Sequence, residues 1–309
     1  MNLRKASTIF SLILIFTLFI TGIVLAVQYN LAASTVDKIN FTTPVPDGAQ
    51  SHEGAPINIL LVCEENQSAN NIYILNYSPD TNVTNILIIP GNTKTPDNRI
   101  LSSIMGENGA MAMVDYIKAH IGINIKYYFK FDLTAFEKIV DSLDGVSFSL
   151  PVDFKSNVAQ LDAGSRLYSG EMAVMLFRFI EPADGKYDVG MKELYDGTPY
   201  ARTILHSNFI SELFLQKANL NYISRVPMII EACGTRIETN ITDEDITKLV
   251  ADADRINIKN ITKYILSGTE ESSGNKFFIF NGRIKEVGVE REYTVAEKAA
   301  TSFASASLR

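Results

Sequence analysis

The sequence predicts an α/β fold: a mixed central sheet with helices on both faces, preceded by one N-terminal transmembrane helix. Three observations carry this reading. Short continuous apolar runs such as Ile57-Asn58-Ile59-Leu60-Leu61-Val62-Cys63 mark strands buried on both faces. Segments of helical spacing alternate with those runs, the order expected when helices cover a sheet. Residues 9–27 contain no charged side chain. At ~1.5 Å per residue they form a helix of roughly 28 Å, close to the ~30 Å hydrocarbon core of a bilayer.

Arg4 and Lys5 precede that apolar run, and the next lysine is Lys38. The positive-inside rule therefore places residues 1–8 in the cytoplasm and everything after the span outside. A cleaved signal peptide is the rival reading, with Val24-Leu25-Ala26 as its small-residue site. Both readings export the domain. Residues 28–56 read as a stalk broken by Pro44, Pro46 and Gly48.

Within the exported part, residues 57–63 form the first strand. Asn71 to Tyr77 and Val83 to Ile89 form a hairpin through a Pro79-Asp80 turn. Gly109 to His120 carries helical spacing, with Gly122 as its stop. Tyr127 to Phe131 is a strand, Thr134 to Leu143 a helix ended by Asp144-Gly145, and Val146 to Leu150 a strand before Pro151. Gly170 to Phe179 reads as helix. The longest helix is Ala201 to Leu215, with Ile204, Phe209, Ile210 and Leu213 as its buried stripe. Thr242-Asp243-Glu244-Asp245 starts a helix to about Ala253, and Lys263–Leu266 with Lys276–Phe280 closes the pattern as a strand pair. Residues 57–285 are read as one domain and 286–309 as a C-terminal tail.

Composition narrows the function classes. A chain of 309 residues that is 46% apolar and 20% charged is neither disordered nor a disulfide-stapled miniprotein. With 28 Lys+Arg against 35 Asp+Glu, the formal charge of −7 offers nothing to neutralise a nucleic acid. Cys63 and Cys233 have no metal-ligand spacing with each other or with His52, His120 and His206. No GxSxG, Walker A, HExxH or GxGxxG pattern occurs.

What is specific is an ordered set of weaker matches. An N-terminal anchor is followed by the Asn58-Ile59-Leu60-Leu61 strand, which ends in an acidic loop, and by a hairpin into Ile88-Ile89-Pro90 with Thr93. Then come YYFKFDLTAFEKIVDSLDGVSFSLP (127–151), the L-x-A-G-x-x-L-x-x-G-E-x-A pattern from Leu161 to Ala173, and Phe177-Arg178-Phe179. This order resembles the LytR–CpsA–Psr family, also described as the cell-envelope-related transcriptional attenuator domain, from about Ile57 to Asn281.

The resemblance implies a membrane-anchored protein of a Gram-positive bacterium. Its extracytoplasmic domain would hold a polyprenyl-pyrophosphate-linked glycopolymer and transfer it as a phosphodiester to peptidoglycan. Such chemistry needs arginines to clamp the pyrophosphate, carboxylates to hold a divalent ion such as magnesium, and an apolar cavity for the prenyl chain. Carried over by position, the first acidic residue falls on Glu65, as the metal ligand. Arg178 and Arg202 take catalytic and pyrophosphate-binding positions, and Arg99 a further pyrophosphate-binding one.

Several family positions are changed. An arginine becomes Gln67, the second acidic residue becomes Asn70 or Asn71, and an Arg-Asp pair becomes Gly91-Asn92. Ile180 and Leu205 replace two further arginines. The implied function is thus a Mg-dependent phosphotransferase, or a catalytically impaired relative that binds polyprenyl-phosphate lipid or cell-wall partners as a regulator or scaffold.

Plain structural roles compete for some of these residues. Asp132, at a strand-to-helix junction, reads as a helix cap. Cys63 reads as a buried small hydrophobe and His206 as a surface residue beside Arg202. Tyr127, Tyr128, Phe129, Phe131, Phe177 and Phe179 read first as core. Glu181 to Pro199 reads as a flap over the site.

Overall fold

The computed structural model describes residues 57–65, 68–78, 83–155, 160–178, 186, 191–192, 199–251, 258, 261–271, 277–288 and 292–294. The expected transmembrane helix, the stalk, the Pro79-Asp80 turn and nearly all of the expected flap lie outside them. Among the described residues no helix is long and apolar enough to cross a membrane.

Strand β1 (Ile57–Glu65) shows why a sheet forms here. With a side-chain period of 2, Leu60 and Val62 face one apolar layer while Leu61 and Cys63 face another. Strands β2 (Ser68–Ser78) and β3 (Val83–Pro90) repeat the pattern. Ile72, Ile74, Leu87 and Ile89 join the first layer; Tyr73, Leu75, Ile86 and Ile88 join the second. The expected hairpin is present, with Asn71 opposite Pro90 and Tyr77 opposite Thr84.

Helix α1 (Leu101–Tyr116) and a π-helical turn at Ile117–Ile121 cover the first layer. The sequence placed this helix at Gly109–His120. The structure starts it eight residues earlier and keeps Gly109 inside, at φ 77° and ψ −179°, as a kink. The i, i+3, i+4 set Leu101, Ile104 and Met105 is buried, so packing extends the helix across its breaker. Gly122 ends it in a left-handed conformation at φ 82°.

Strand β4 (Tyr127–Asp132) runs parallel to β1, and helix α2 (Leu133–Ser142) follows without a loop. Asp144 and Gly145, both at positive φ, turn α2 into β5 (Val146–Leu150). The strands β6 (Phe154–Lys155), β7 (Gln160–Leu161) and β8 (Gly164–Tyr168) were not foreseen. They make two small antiparallel pairs, β5 with β8 and β6 with β7. Helices α3 (Gly170–Arg178) and α4 (Pro199–Lys217) close the second layer. They are joined there by α6 (Val226–Cys233), which follows the short α5 (Leu220–Ile223).

Strand β9 (Ile237–Thr239) adds an antiparallel edge beside β4, and α7 (Asp243–Ala251) begins at the expected cap. There Thr242 Oγ1 accepts from the Asp245 N–H at 3.2 Å while Asp245 Oδ2 accepts from the Thr242 N–H at 3.1 Å. The last pair, β10 (Ile261–Glu271) and β11 (Phe277–Glu286), is followed by β12 (Glu292–Thr294), within the stretch read as a tail. The main sheet has the order β12-β11-β10-β3-β2-β1-β4-β9. It is parallel at β1/β4 and β3/β10 and antiparallel elsewhere. This is the mixed sheet with a helical layer on each face that the sequence predicts.

Helices α2 and α3 meet at Gly170. A Cβ there would lie 2.2 Å from the Glu137 carbonyl oxygen, and the Gly170 N–H donates to Asp141 Oδ1 at 2.7 Å. A Gly170→Ala substitution must push backbone from backbone. It is expected to cost ~1–3 kcal/mol, as overpacking does, read as a lower midpoint in urea unfolding with an unchanged m-value.

Candidate functional site

The charged residues of β1 and β4 gather toward the carboxyl ends of those strands: Glu64 and Glu65 on β1, Lys130 and Asp132 on β4. At the carboxyl end of β1 the register slips between Cys63 and Glu64. Glu64 pairs in parallel register with Asp132, the last residue of β4. Beyond the carboxyl ends of parallel strands is where open α/β sheets place ligands. Two neighbouring clefts open here.

The larger, of about 340 Å³, is lined by Glu64, Glu65, Lys130, Asp132, Leu133, Thr134, Arg178, Thr235, Arg236 and Glu238. Its cations are matched to its anions. Lys130 Nζ lies 2.6 Å from Glu64 and 3.3 Å from Glu238, and Arg236 lies 2.6 Å from Asp132 Oδ2. Burial opposes the charge on Lys130, but the two carboxylates outweigh it and raise its pKa above the ordinary lysine value. Asp132 also caps α2, its Oδ1 accepting from the Ala135 N–H at 2.7 Å, which is the structural role read from the sequence.

The smaller cleft is lined by Cys63, Glu65, Asn71, Leu133, Phe177, Arg178 and Arg202. It brings together three of the residues that the resemblance singles out. Arg178, the last residue of α3, donates through Nε to Glu65 Oε1 at 3.1 Å, and Arg202 enters from the first turns of α4. Two guanidinium groups thus face one carboxylate. Arg99 lines neither cleft; its Nε lies 2.6 Å from Asp97 Oδ2 on the loop before α1. Cys63 is buried, and that burial first, then Glu65, Asp132 and Glu64, pushes its thiol pKa up, away from nucleophilic use.

His206 was read as a surface residue and is instead fully buried (0% exposed). Its ring stacks on Phe177, with centroids 4.2 Å apart and planes 8° apart. Nε2 lies 3.2 Å from the Leu176 carbonyl oxygen, which only accepts, so Nε2 carries a proton. Burial, reinforced by Arg202, lowers the His206 pKa to about 3, so the ring is neutral and Nδ1 holds a lone pair. Nδ1 lies 2.7 Å from the Asn71 carboxamide, which therefore turns its NH2 toward the ring. The same end of Asn71 lies 3.2 Å from the Tyr73 hydroxyl, which in turn lies 3.5 Å from the Thr203 carbonyl oxygen. The chain Tyr73–Asn71–His206 is thus hydrogen-bonded throughout without a formal charge.

The signal for His206 was present in its spacing. Positions 206, 209, 210 and 213 lie on one helical face, the apolar stripe itself.

Beneath the arginines the interior is packed rather than hollow. Phe177 lies against Phe136 and Phe209 at 4.6 and 6.0 Å between centroids, and Phe209 against Phe148 and Tyr168 at 5.3 and 5.9 Å. Among the described residues, only Cys63, Leu133 and Phe177 bring apolar side chains to the cleft beside Arg178 and Arg202.

The donor set does not fit the magnesium that the resemblance implies. Glu65 is the cleft's one carboxylate and is engaged by Arg178, while Asn71 is neutral and has its NH2 committed to His206. Among the described residues no group of three or more His, Cys, Asp or Glu side chains is placed to hold a metal.

Comparison with known proteins agrees with the architecture. The model of the LytR_cpsA_psr family matches residues 27–291. The TagU protein of Halalkalibacterium halodurans, named polyisoprenyl-teichoic acid–peptidoglycan teichoic acid transferase, is 22% identical over 215 residues, covering 67% of this chain and 66% of that protein. The protein of the same name from Bacillus licheniformis is 22% identical over 260 residues, covering 78% and 80%. Among solved structures, B. subtilis TagV superposes with a TM-score of 0.59 at 18% identity, covering 74% of this chain and 92% of that one. TagT bound to LI-WTA gives 0.57 at 15%, covering 76% and 88%. The chain belongs to the LytR_cpsA_psr family.

Because folding depresses the His206 pKa, the unfolded chain binds one more proton than the folded chain between about pH 3 and pH 6.5. Stability therefore falls as pH drops below about 6.5, by roughly 1.4 kcal/mol per pH unit from this group. Urea unfolding between about pH 6.5 and 5, above the ordinary carboxylate range, is expected to show that slope in the parent protein and to lose it in His206→Gln.

Proposed function

Taking that membership as premise, we propose that this chain is a membrane-anchored, extracytoplasmic protein that holds a polyprenyl-diphosphate-linked glycopolymer and passes it to peptidoglycan. The observation that carries the reading is the convergence of Arg178, Arg202 and Glu65 on one cleft at the carboxyl end of β1. Guanidinium forks match phosphate oxygens bidentately, and a diphosphate arriving there replaces Glu65 as the partner of Arg178. The uncharged run at residues 9–27 supplies the anchor, and the names of the curated relatives supply the class of polymer.

In the transfer, an acceptor hydroxyl oxygen forms a new bond to the phosphorus that carries the glycopolymer. The bond from that phosphorus to the bridging oxygen breaks, and polyprenyl phosphate leaves. The hydroxyl proton needs a base. Glu65 is the carboxylate released when Arg178 turns to the diphosphate, and it stands in the cleft where the acceptor must enter.

A second reading, a binding protein without turnover, is favoured by one observation: that single carboxylate serves both as ion-pair partner and as candidate base. The two readings separate on three variants of the full-length chain in detergent. Arg178→Ala and Arg202→Ala each remove a charge-assisted contact of ~1.5–3 kcal/mol, so each is expected to weaken farnesyl diphosphate binding about 10- to 100-fold. Glu65→Gln removes the competing anion. It is expected to bind as tightly as the parent or tighter, yet to lose phosphodiester formation on a peptidoglycan fragment. A parent protein that binds the lipid diphosphate but forms no phosphodiester would select the second reading.

A further inference from the structure

Among the charged clusters of the described residues, the larger cleft sets four carboxylates against three paired cations, whereas the smaller sets two arginines against Glu65 alone. Beside that excess lies a buried polar chain that no step of the proposed transfer uses: Tyr73, Asn71 and His206.

We infer that this chain clamps its diphosphate without a divalent cation, because the neutral Asn71–His206 pair stands at the wall of the cleft where a cation would need a second carboxylate. The inference rests on the diphosphate reading above and gives that site its ionic requirement.

Three observations support it. Asn71 is 3% exposed, and its NH2 is held by His206 at 2.7 Å and by Tyr73 at 3.2 Å, so it can offer a cation at most a neutral carbonyl oxygen in place of a carboxylate. His206 is fixed in turn by the Leu176 carbonyl and the Phe177 ring, so the neutral pair is locked on both sides. Glu65 alone remains, and a hard divalent ion held by one carboxylate would sit beside two guanidinium groups that repel it. A diphosphate needs no such ion here, since Arg178 and Arg202 already meet its charge. Magnesium bound to the free diphosphate would instead reduce the charge that the arginines recognise.

The test measures farnesyl diphosphate binding to the full-length chain in detergent by calorimetry, in EDTA and in millimolar magnesium. The expected result is a dissociation constant in EDTA equal to or lower than that in magnesium. Tightening of about tenfold or more on adding magnesium, about 1.4 kcal/mol, would overturn the inference while leaving the diphosphate site standing. Absence of binding in both media would overturn the diphosphate reading itself, and the inference with it.

A second arm restores the missing charge. In Asn71→Asp/His206→Gln the glutamine stays neutral and can donate to the new carboxylate, which then stands beside Glu65. Binding by this variant is expected to become magnesium-dependent by about tenfold or more. A folded variant, verified by its unfolding transition, that binds equally well in both media would show that the pair does not set the ion requirement.

Discussion

Strand β1 is enclosed by β2 on one side, β4 on the other and an apolar layer on each face, and this enclosure decides where charge can stand. An ionised group within the strand would lose its water with no partner to replace it. The strand is therefore apolar from Ile59 to Cys63, and only at the register slip after Cys63 do Glu64 and Glu65 emerge. Strand β4 admits one charge within its span, Lys130, only because Glu64 and Glu238 pair with it, and it ends in Asp132 as α2 begins. The clefts lie at this edge because the centre of the sheet excludes them.

Within that edge, charge is distributed unevenly. In the Lys130, Arg236, Glu64, Asp132 and Glu238 set both cations are taken up by three carboxylates. The neighbouring cleft is different, because Arg202 adds a positive group and Asn71 and His206 add none. One half of the edge is thus a structural clasp between β1, β4, β9 and the turn after α6. The other half keeps an excess of positive charge. That division comes from single residues: a carboxylate at position 71 would have cancelled the cationic excess of the smaller cleft.

Much of the architecture was legible in the sequence, because strands buried on both faces leave unbroken apolar runs and α2 carries its own cap and stop in Asp132 and Asp144-Gly145. The parts that were not legible are those fixed by tertiary contact. Strands β6, β7 and β9, with two or three residues each, are too short to show a period, and Leu167 in β8 faces solvent where a core pattern would bury it. Helical spacing places the start of α1 at Gly109, whereas burial of Leu101, Ile104 and Met105 carries the helix past it. Motif position singles out Glu65, Arg178 and Arg202, which line one cleft. Arg99, also chosen by position, stands with Asp97 instead. His206 was misjudged because residue type outweighed its place on the stripe.

Strand β10 enters the sheet beside β3, pairing Ile265 with Ile88, although nearly the whole domain separates them along the chain. Until that late hairpin arrives, β3 is an uncovered apolar edge, a template for pairing with other chains. A chain that emerges from its N-terminus must hold this edge open through most of its passage, and contacts between such distant segments form slowly. A sheet that only its last segments seal leaves this edge exposed through most of synthesis, and shielding it during emergence is the demand this topology makes on the cell.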